Sequence, residues 1–132
     1  MAVDLLDLEY NVKTLLPAGT AVPGASQNIK STPFRHKRGI GKMSLWIKAA
    51  GSSPALKVFV EGATADTDTK YTALTPELEV QGALITISDS SPHAVNIPDT
   101  WLPLIRVRVT DDAGNGADTT VQIDITENRV DQ

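Results

Sequence analysis

The chain has no cysteine, which excludes disulfides, thiolate metal sites and a cysteine nucleophile, and leaves stability to packing alone. Histidine occurs only twice, as His36 and His93, so general-base chemistry has few places to reside. Basic charge is scarce too: 12 Lys and Arg against 16 Asp and Glu give a net charge of −4. That balance argues against a general nucleic-acid binder, which needs a basic surface to displace counterions from phosphate, and against an anionic membrane surface. Long apolar runs are missing, none approaching the ~20 residues of a membrane span. Residues 1–9 lack a basic segment and are broken by Asp4, Asp7 and Glu9, so no secretory leader is expected there. The chain is expected to be made soluble and inside a cell. The 132 residues fit a single domain, 1–132, with polar ends at about 1–5 and 127–132 as possible arms.

What the sequence does contain is alternation. From Leu6 to Lys13, Leu6, Leu8, Tyr10 and Val12 share one parity and Asp7, Glu9, Asn11 and Lys13 the other. This predicts a half-buried strand, with a helix over Leu5–Leu16 as the competing reading because Leu5, Leu8, Val12 and Leu15 are also helically spaced. Residues 16–27, rich in Pro, Gly, Ala and Ser, predict a loop, followed by a short extended piece at Gln27–Ser31. Met43, Leu45, Ile47 and Ala49 alternate with Lys42, Ser44, Trp46 and Lys48; after Gly51–Pro54 come Leu56, Val58 and Val60. That pattern predicts a hairpin. Further short strands are expected at Thr72–Leu74, Glu77–Val80, Ala83–Ile87 and Ala94–Ile97. A last hairpin is expected over Leu104–Ile125, with Ile105, Val107 and Val109 facing the core alongside Val121, Ile123 and Ile125, and with Arg106 opposite Asp124. Eight or nine short strands without a convincing helix predict an all-β, two-sheet β-sandwich, with a jelly roll favoured over an immunoglobulin-like arrangement.

Chemical motifs are weak. Asp89, Ser90 and His93 can be written as a triad, but residues so close in one turn do not readily converge on a substrate. Gly39–Lys42 has the look of a phosphate loop, yet the first glycine of that motif falls at His36 and the hydroxyl residue after the lysine is Met43. Asp66 with Asp68, and Asp111, Asp112, Asn115 and Asp118, are loop carboxylates that turn chemistry explains better than calcium. No cofactor, metal site or catalytic residue is therefore expected, and the chain is read as a non-enzyme. Interaction residues stand out more clearly. If the aliphatic set of the first hairpin points inward, Trp46 and Phe59 point outward near each other, either under a covering loop or as an aromatic patch that meets another protein. Arg35, Lys37 and Arg38 concentrate positive charge on an acidic chain; a solvated loop is the ordinary reading, a docking site for an acidic protein surface the sharper one, and nucleic acid a third. Trp101, in the Pro98–Pro103 corner, completes the candidates.

The order of segments is similar to that of small tailed-phage capsid cement, or decoration, proteins with a jelly-roll fold. The parts carrying this resemblance are the N-terminal strand, the connector ending at Ser26–Ile29, the glycine-rich Arg38–Gly41, and the strands Ser44–Ile47 and Leu56–Glu61. An Asp/Thr-rich loop with Tyr71 and the late Trp101–Arg108 complete them. The likeness spans most of the chain but is one of layout. It implies a virion structural protein on the outside of the head that bridges major capsid proteins, associates with itself and carries out no reaction. Two other readings compete with it. One is a different virion part, such as a head-tail connector or tail protein; the other is a carbohydrate- or surface-binding immunoglobulin-like module.

Overall fold

The computed structural model describes residues 8–22, 28–35, 41–51, 54–74, 84–97, 100, 102–111 and 119–130. Ten strands follow in order: β1 (Leu8–Ala21), β2 (Asn28–Lys30), β3 (Phe34–Arg35), β4 (Gly41–Ala50), β5 (Leu56–Ala63), β6 (Thr72–Ala73), β7 (Ile85–Ile87), β8 (His93–Asn96), β9 (Leu104–Asp111) and β10 (Thr120–Val130). A single 3-10 turn at Asp68–Lys70 lies between β5 and β6. All pairings are antiparallel. The first sheet runs β1-β10-β4-β8, and the second runs β2-β9-β5-β6, with β3 also on β9 and β7 also on β5.

The two strand pairs sharing an edge behave as single strands with an interruption. Along β9, β2 takes the positions opposite Arg108–Thr110 and β3 those opposite Leu104 and Ile105. Between them Ser31 keeps the ladder alive: its N–H donates to the Val107 carbonyl at 2.9 Å, and its Oγ accepts the Val107 N–H at 3.0 Å. Similarly, the Leu74 N–H donates to the Val60 carbonyl and the Leu84 N–H to the Val58 carbonyl, so β6 and β7 lie along the same edge of β5. Counted by position there are eight strands. Numbered along the chain, they give the orders 1-8-3-6 and 2-7-4-5, which is the winding of a jelly roll. Apart from β2 to β3 and β5 to β6 to β7, each connection passes from one sheet to the other, whereas an immunoglobulin sandwich keeps several consecutive strands side by side.

The core lies between the sheets and is made by the alternating sets. Leu45, Ile47, Val121, Ile123 and Ile125 from the first sheet meet Leu56, Val58, Val60, Ile105, Val107 and Val109 from the second, all fully buried or nearly so. Each such branched side chain contributes ~1.5–3 kcal/mol by leaving water. The period of two thus selects the faces correctly in β4, β5, β9 and β10, but not in β1, where the apolar parity was expected to be buried and instead Val12 is exposed on the outer face while Lys13 lies opposite buried Ile125.

It does not select the partners, and both expected hairpins are corrected. β4 and β5 belong to different sheets, as do β9 and β10. Val109 lies opposite Val58 rather than Val121, and Arg106 opposite Glu61 rather than Asp124. An amphipathic strand pair joined by a glycine-rich turn buries its apolar faces equally well as a flat hairpin or as an arch between facing sheets, so local patterning is neutral between the two.

Other boundaries shift as well. β1 is a strand, as the alternation predicts, but runs on to Ala21 through residues expected to form a loop. Register shifts between Thr14 and Leu16 and between Leu16 and Thr20 admit the extra residues, and Gly19 takes φ +86° there. β10 continues through Val130, so residues 127–130, expected as part of an arm, are strand, and Glu127 is fully buried. The expected strand at Glu77–Val80 and the possible arm at 1–5 lie outside the described residues.

Candidate interaction surfaces

The outer face of the first sheet is built by the polar parity of β4 and β10. One row across it reads Val12, Thr126, Ser44 and Asn96; the next reads Thr14, Asp124, Trp46 and Ala94; Gln122 and Lys48 follow. Ser44 Oγ donates to Asn96 Oδ1 at 2.8 Å, tying β4 to β8. Trp46 is half-buried at the centre of this face, and Val12 is 61% exposed. Asp124 Oδ1 is shielded from solvent without a hydrogen-bond partner. At one end a recess of about 130 Å³ is lined by Ala18, Gly19, Lys48, Ala50, Thr120, Val121 and Gln122. Ligand pockets are roughly 300–1,000 Å³, and this recess offers neither a histidine nor a carboxylate for chemistry.

The outer face of the second sheet is a network of cations, carboxylates and rings. Arg106 on β9 donates through Nε to Glu61 Oε1 on β5 at 2.8 Å and through Nη1 to Asp68 Oδ1 at 2.8 Å, and its guanidinium lies 3.7 Å from the centre of the Tyr71 ring. Arg108 donates to Glu61 Oε2 at 3.0 Å and to Asn28 Oδ1 at 3.1 Å while stacking 4.0 Å over Phe59. Lys30 reaches Asp68 at 3.6 Å, and the Tyr71 hydroxyl donates to Asp66 at 3.0 Å. These contacts pin the segment from Asp66 to Tyr71 over the sheet.

Titration follows from those partners. The Arg106 hydrogen bond, then the charges of Lys30 and Arg106, hold the Asp68 carboxyl below its usual value of 3.8. Burial opposes the charged form of Arg106, but its bonds to Asp68 and Glu61 outweigh that and raise it further. Tyr71 is pushed up to about 12, first by burial and then by its bond to Asp66.

Of the residues singled out in the sequence, Trp46 and Phe59 are not brought together. They lie on the outer faces of opposite sheets. Phe59 is 8% exposed beneath Arg108, so it is covered from within the chain, while Trp46 remains at the surface. Arg35 is exposed on β3, opposite Leu104. Lys37, Arg38, Trp101 and His36 lie outside the described residues.

His93 Nε2 and Asp89 Oδ1 are 2.8 Å apart, and the same oxygen accepts the Ser91 N–H at 3.0 Å. The His93 bond, then the Ser91 bond, lower the Asp89 pKa. This exposed arrangement orders the turn into β8. Asp66 and Asp68 are engaged by Tyr71 and by Arg106 with Lys30, which leaves no open pair of carboxylates. Gly41 and Lys42 begin β4 rather than a loop around phosphate, whereas Gly39 and residues 112–118 of the acidic loop are outside the described residues. Among the described residues no three His, Cys, Asp or Glu side chains are grouped to hold a metal, and no helix is long and apolar enough to cross a membrane.

The residues that sequence reading missed are Glu61, Arg106 and Arg108 as one network. Their signal was parity: the outward positions of β5 and β9 carry Phe59 and Glu61 facing Arg108 and Arg106. It becomes legible only once β5 and β9 are known to be neighbours. No family model matches this chain, and neither curated proteins nor solved structures show a match. The class defined by the geometry is therefore the fold itself, a ten-strand jelly-roll β-sandwich with two broad outer faces.

Proposed function

We propose that the chain is a non-enzymatic structural protein of a virion. It binds the outside of a phage head, bridges neighbouring major capsid proteins and associates with further copies of itself. The observation that carries this reading is the outer face of the first sheet, where half-buried Trp46 sits among Thr14, Ser44, Thr126, Ala94 and exposed Val12 with no segment described as covering it. A broad face of mostly small side chains around an aromatic anchor, with Asp124 beside Trp46 and Lys48 at its end, suits a protein partner better than a small molecule. Jelly-roll winding supports the same reading through the segment layout shared with cement proteins, and it weighs against the immunoglobulin-like alternative. Arg35, exposed at the edge of the second sheet, fits the steering of an acidic partner. Repetition over an icosahedral shell converts a modest interface per copy into firm attachment.

Mature phage heads lacking this protein, mixed with the purified chain and imaged by electron microscopy, test the proposal. Ordered density at symmetry-related sites, lost on Trp46→Ala, is expected. Bare shells at saturating protein would overturn it and turn attention to connector and glycan partners.

A further inference from the structure

Among the described residues four strand edges close the two sheets, and three of them carry only short strands. β2 and β3 are three and two residues long, β6 and β7 two and three, and β8 four. The fourth, β1, spans 14 residues. Its second half carries the devices that discourage pairing: Pro17, two register shifts and Gly19 at positive φ. Its first half, Leu8 to Val12, has an unbroken register with β10 from Leu8↔Val130 to Val12↔Thr126. Beside this stretch lies Val12, the exposed large hydrophobic residue among the described residues.

We infer that two copies of the chain pair antiparallel through the free edge of β1 at Leu8–Thr14, joining their first sheets into one eight-stranded sheet. The inference rests on the self-association in the proposed function and names the surface that performs it. An antiparallel edge is self-complementary about a two-fold axis. With that axis at Asn11, Glu9 falls opposite Lys13, Tyr10 opposite Val12 and Leu8 opposite Thr14.

The register therefore supplies two symmetry-related pairs of opposite charge and two aromatic with β-branched pairs, the combinations that stabilise neighbouring strands. A one-residue slip loses the Glu9 to Lys13 match. Lys13 already donates through Nζ to the Pro33 carbonyl at 3.1 Å, and an ammonium has three protons, so it serves Glu9 of a second copy without giving up that bond. Pairing here doubles the face that carries Trp46.

The absence of cysteine makes the test clean. Asn11→Cys places one thiol on the axis, where directly opposed Cα atoms are about 4.5–5.5 Å apart, within disulfide range. Under mild oxidation this variant is expected to form a covalent dimer quickly, whereas Thr86→Cys, exposed on β7, stays monomeric over the same period. Sedimentation velocity supplies the second reading. Lys13→Glu is expected to weaken dimerisation about tenfold by opposing like charges, and the double exchange Glu9→Lys with Lys13→Glu to restore it. Equal crosslinking of the two cysteine variants, or no rescue in a chain with native circular dichroism, would overturn the β1 interface. Head binding is read separately, so a monomer that still decorates shells sinks this inference alone, while a dimer that leaves shells bare sinks only the capsid reading.

Discussion

Replacing Arg106 with Leu tests whether the ion network on the second sheet holds the fold. The guanidinium is nearly buried, bonded to Glu61 and Asp68, and covered by Tyr71. Its removal leaves Glu61, whose side chain is 11% exposed, with one oxygen unpaired and the other still held by Arg108 at 3.0 Å. Breaking a buried ion pair outright costs about 3–5 kcal/mol, and the surviving Arg108 bond reduces this to ~2–3 kcal/mol. The lost contact with Tyr71 adds ~0.5–1 kcal/mol. A total near 3 kcal/mol corresponds to a drop of roughly 10 °C in Tm for a chain of this length.

Removing the stranded carboxylate as well should reverse most of the loss. The double variant Arg106→Leu with Glu61→Leu is expected within ~1 kcal/mol of the parent, because two apolar side chains then pack where two ions were desolvated. Urea unfolding of the parent, both single variants and the double variant gives the coupling directly. If Arg106→Leu costs under ~1 kcal/mol, or the double variant costs the sum of the singles, the pair does not act as a buried unit and the reasoning fails.

Ser31→Ala removes the hydroxyl that accepts the buried Val107 N–H, so a loss of about 1–3 kcal/mol is expected in urea unfolding; no change would mean another acceptor takes over. Trp46→Ala should cost no more than ~1.5 kcal/mol in the isolated chain, since its ring is only half-buried, and a loss of several kcal/mol would identify it as core instead. In a Tyr10→Phe background the remaining phenol, Tyr71, should titrate by ultraviolet absorbance at about 12. Because the folded chain holds that proton more tightly than the unfolded one, whose value is near 10.0, stability should be intact below pH 10.0 and fall as pH rises toward about 12. Ionisation near pH 10 would show that Tyr71 is not buried and bonded to Asp66 as described.

The faces of the central strands were legible because a period of two in branched residues has one physical meaning, burial of one side; in edge strand β1 the alternation misled, since Val12 is exposed. Met43 to Ala49, Leu56 to Val60 and Val121 to Ile125 all bury the side the alternation assigns. Partners were illegible, since Val109 gains as much from Val58 as from Val121 and only the path of the whole chain decides between them. The same ambiguity hid the surface chemistry. Trp46 was correctly placed outward, yet its expected neighbour Phe59 lies on the far side of the molecule, and Arg106, expected opposite Asp124, lies opposite Glu61. Likewise, Pro17 and Gly19 read as a loop because a bulged edge strand tolerates the residues that a central strand rejects.

The position of β10 between β1 and β4 also governs how the chain comes to be folded. During synthesis β1 and β4 emerge long before β10, the strand that must lie between them, so the first sheet cannot assemble until nearly all the described residues have left the ribosome. Pairings this remote along the chain make for slow folding, with apolar strands exposed in the interval. Any interaction that forms only after β10 is seated slows unfolding without hastening folding. A chain of this topology is therefore suited to folding as a whole once β10 has emerged, rather than piece by piece during synthesis.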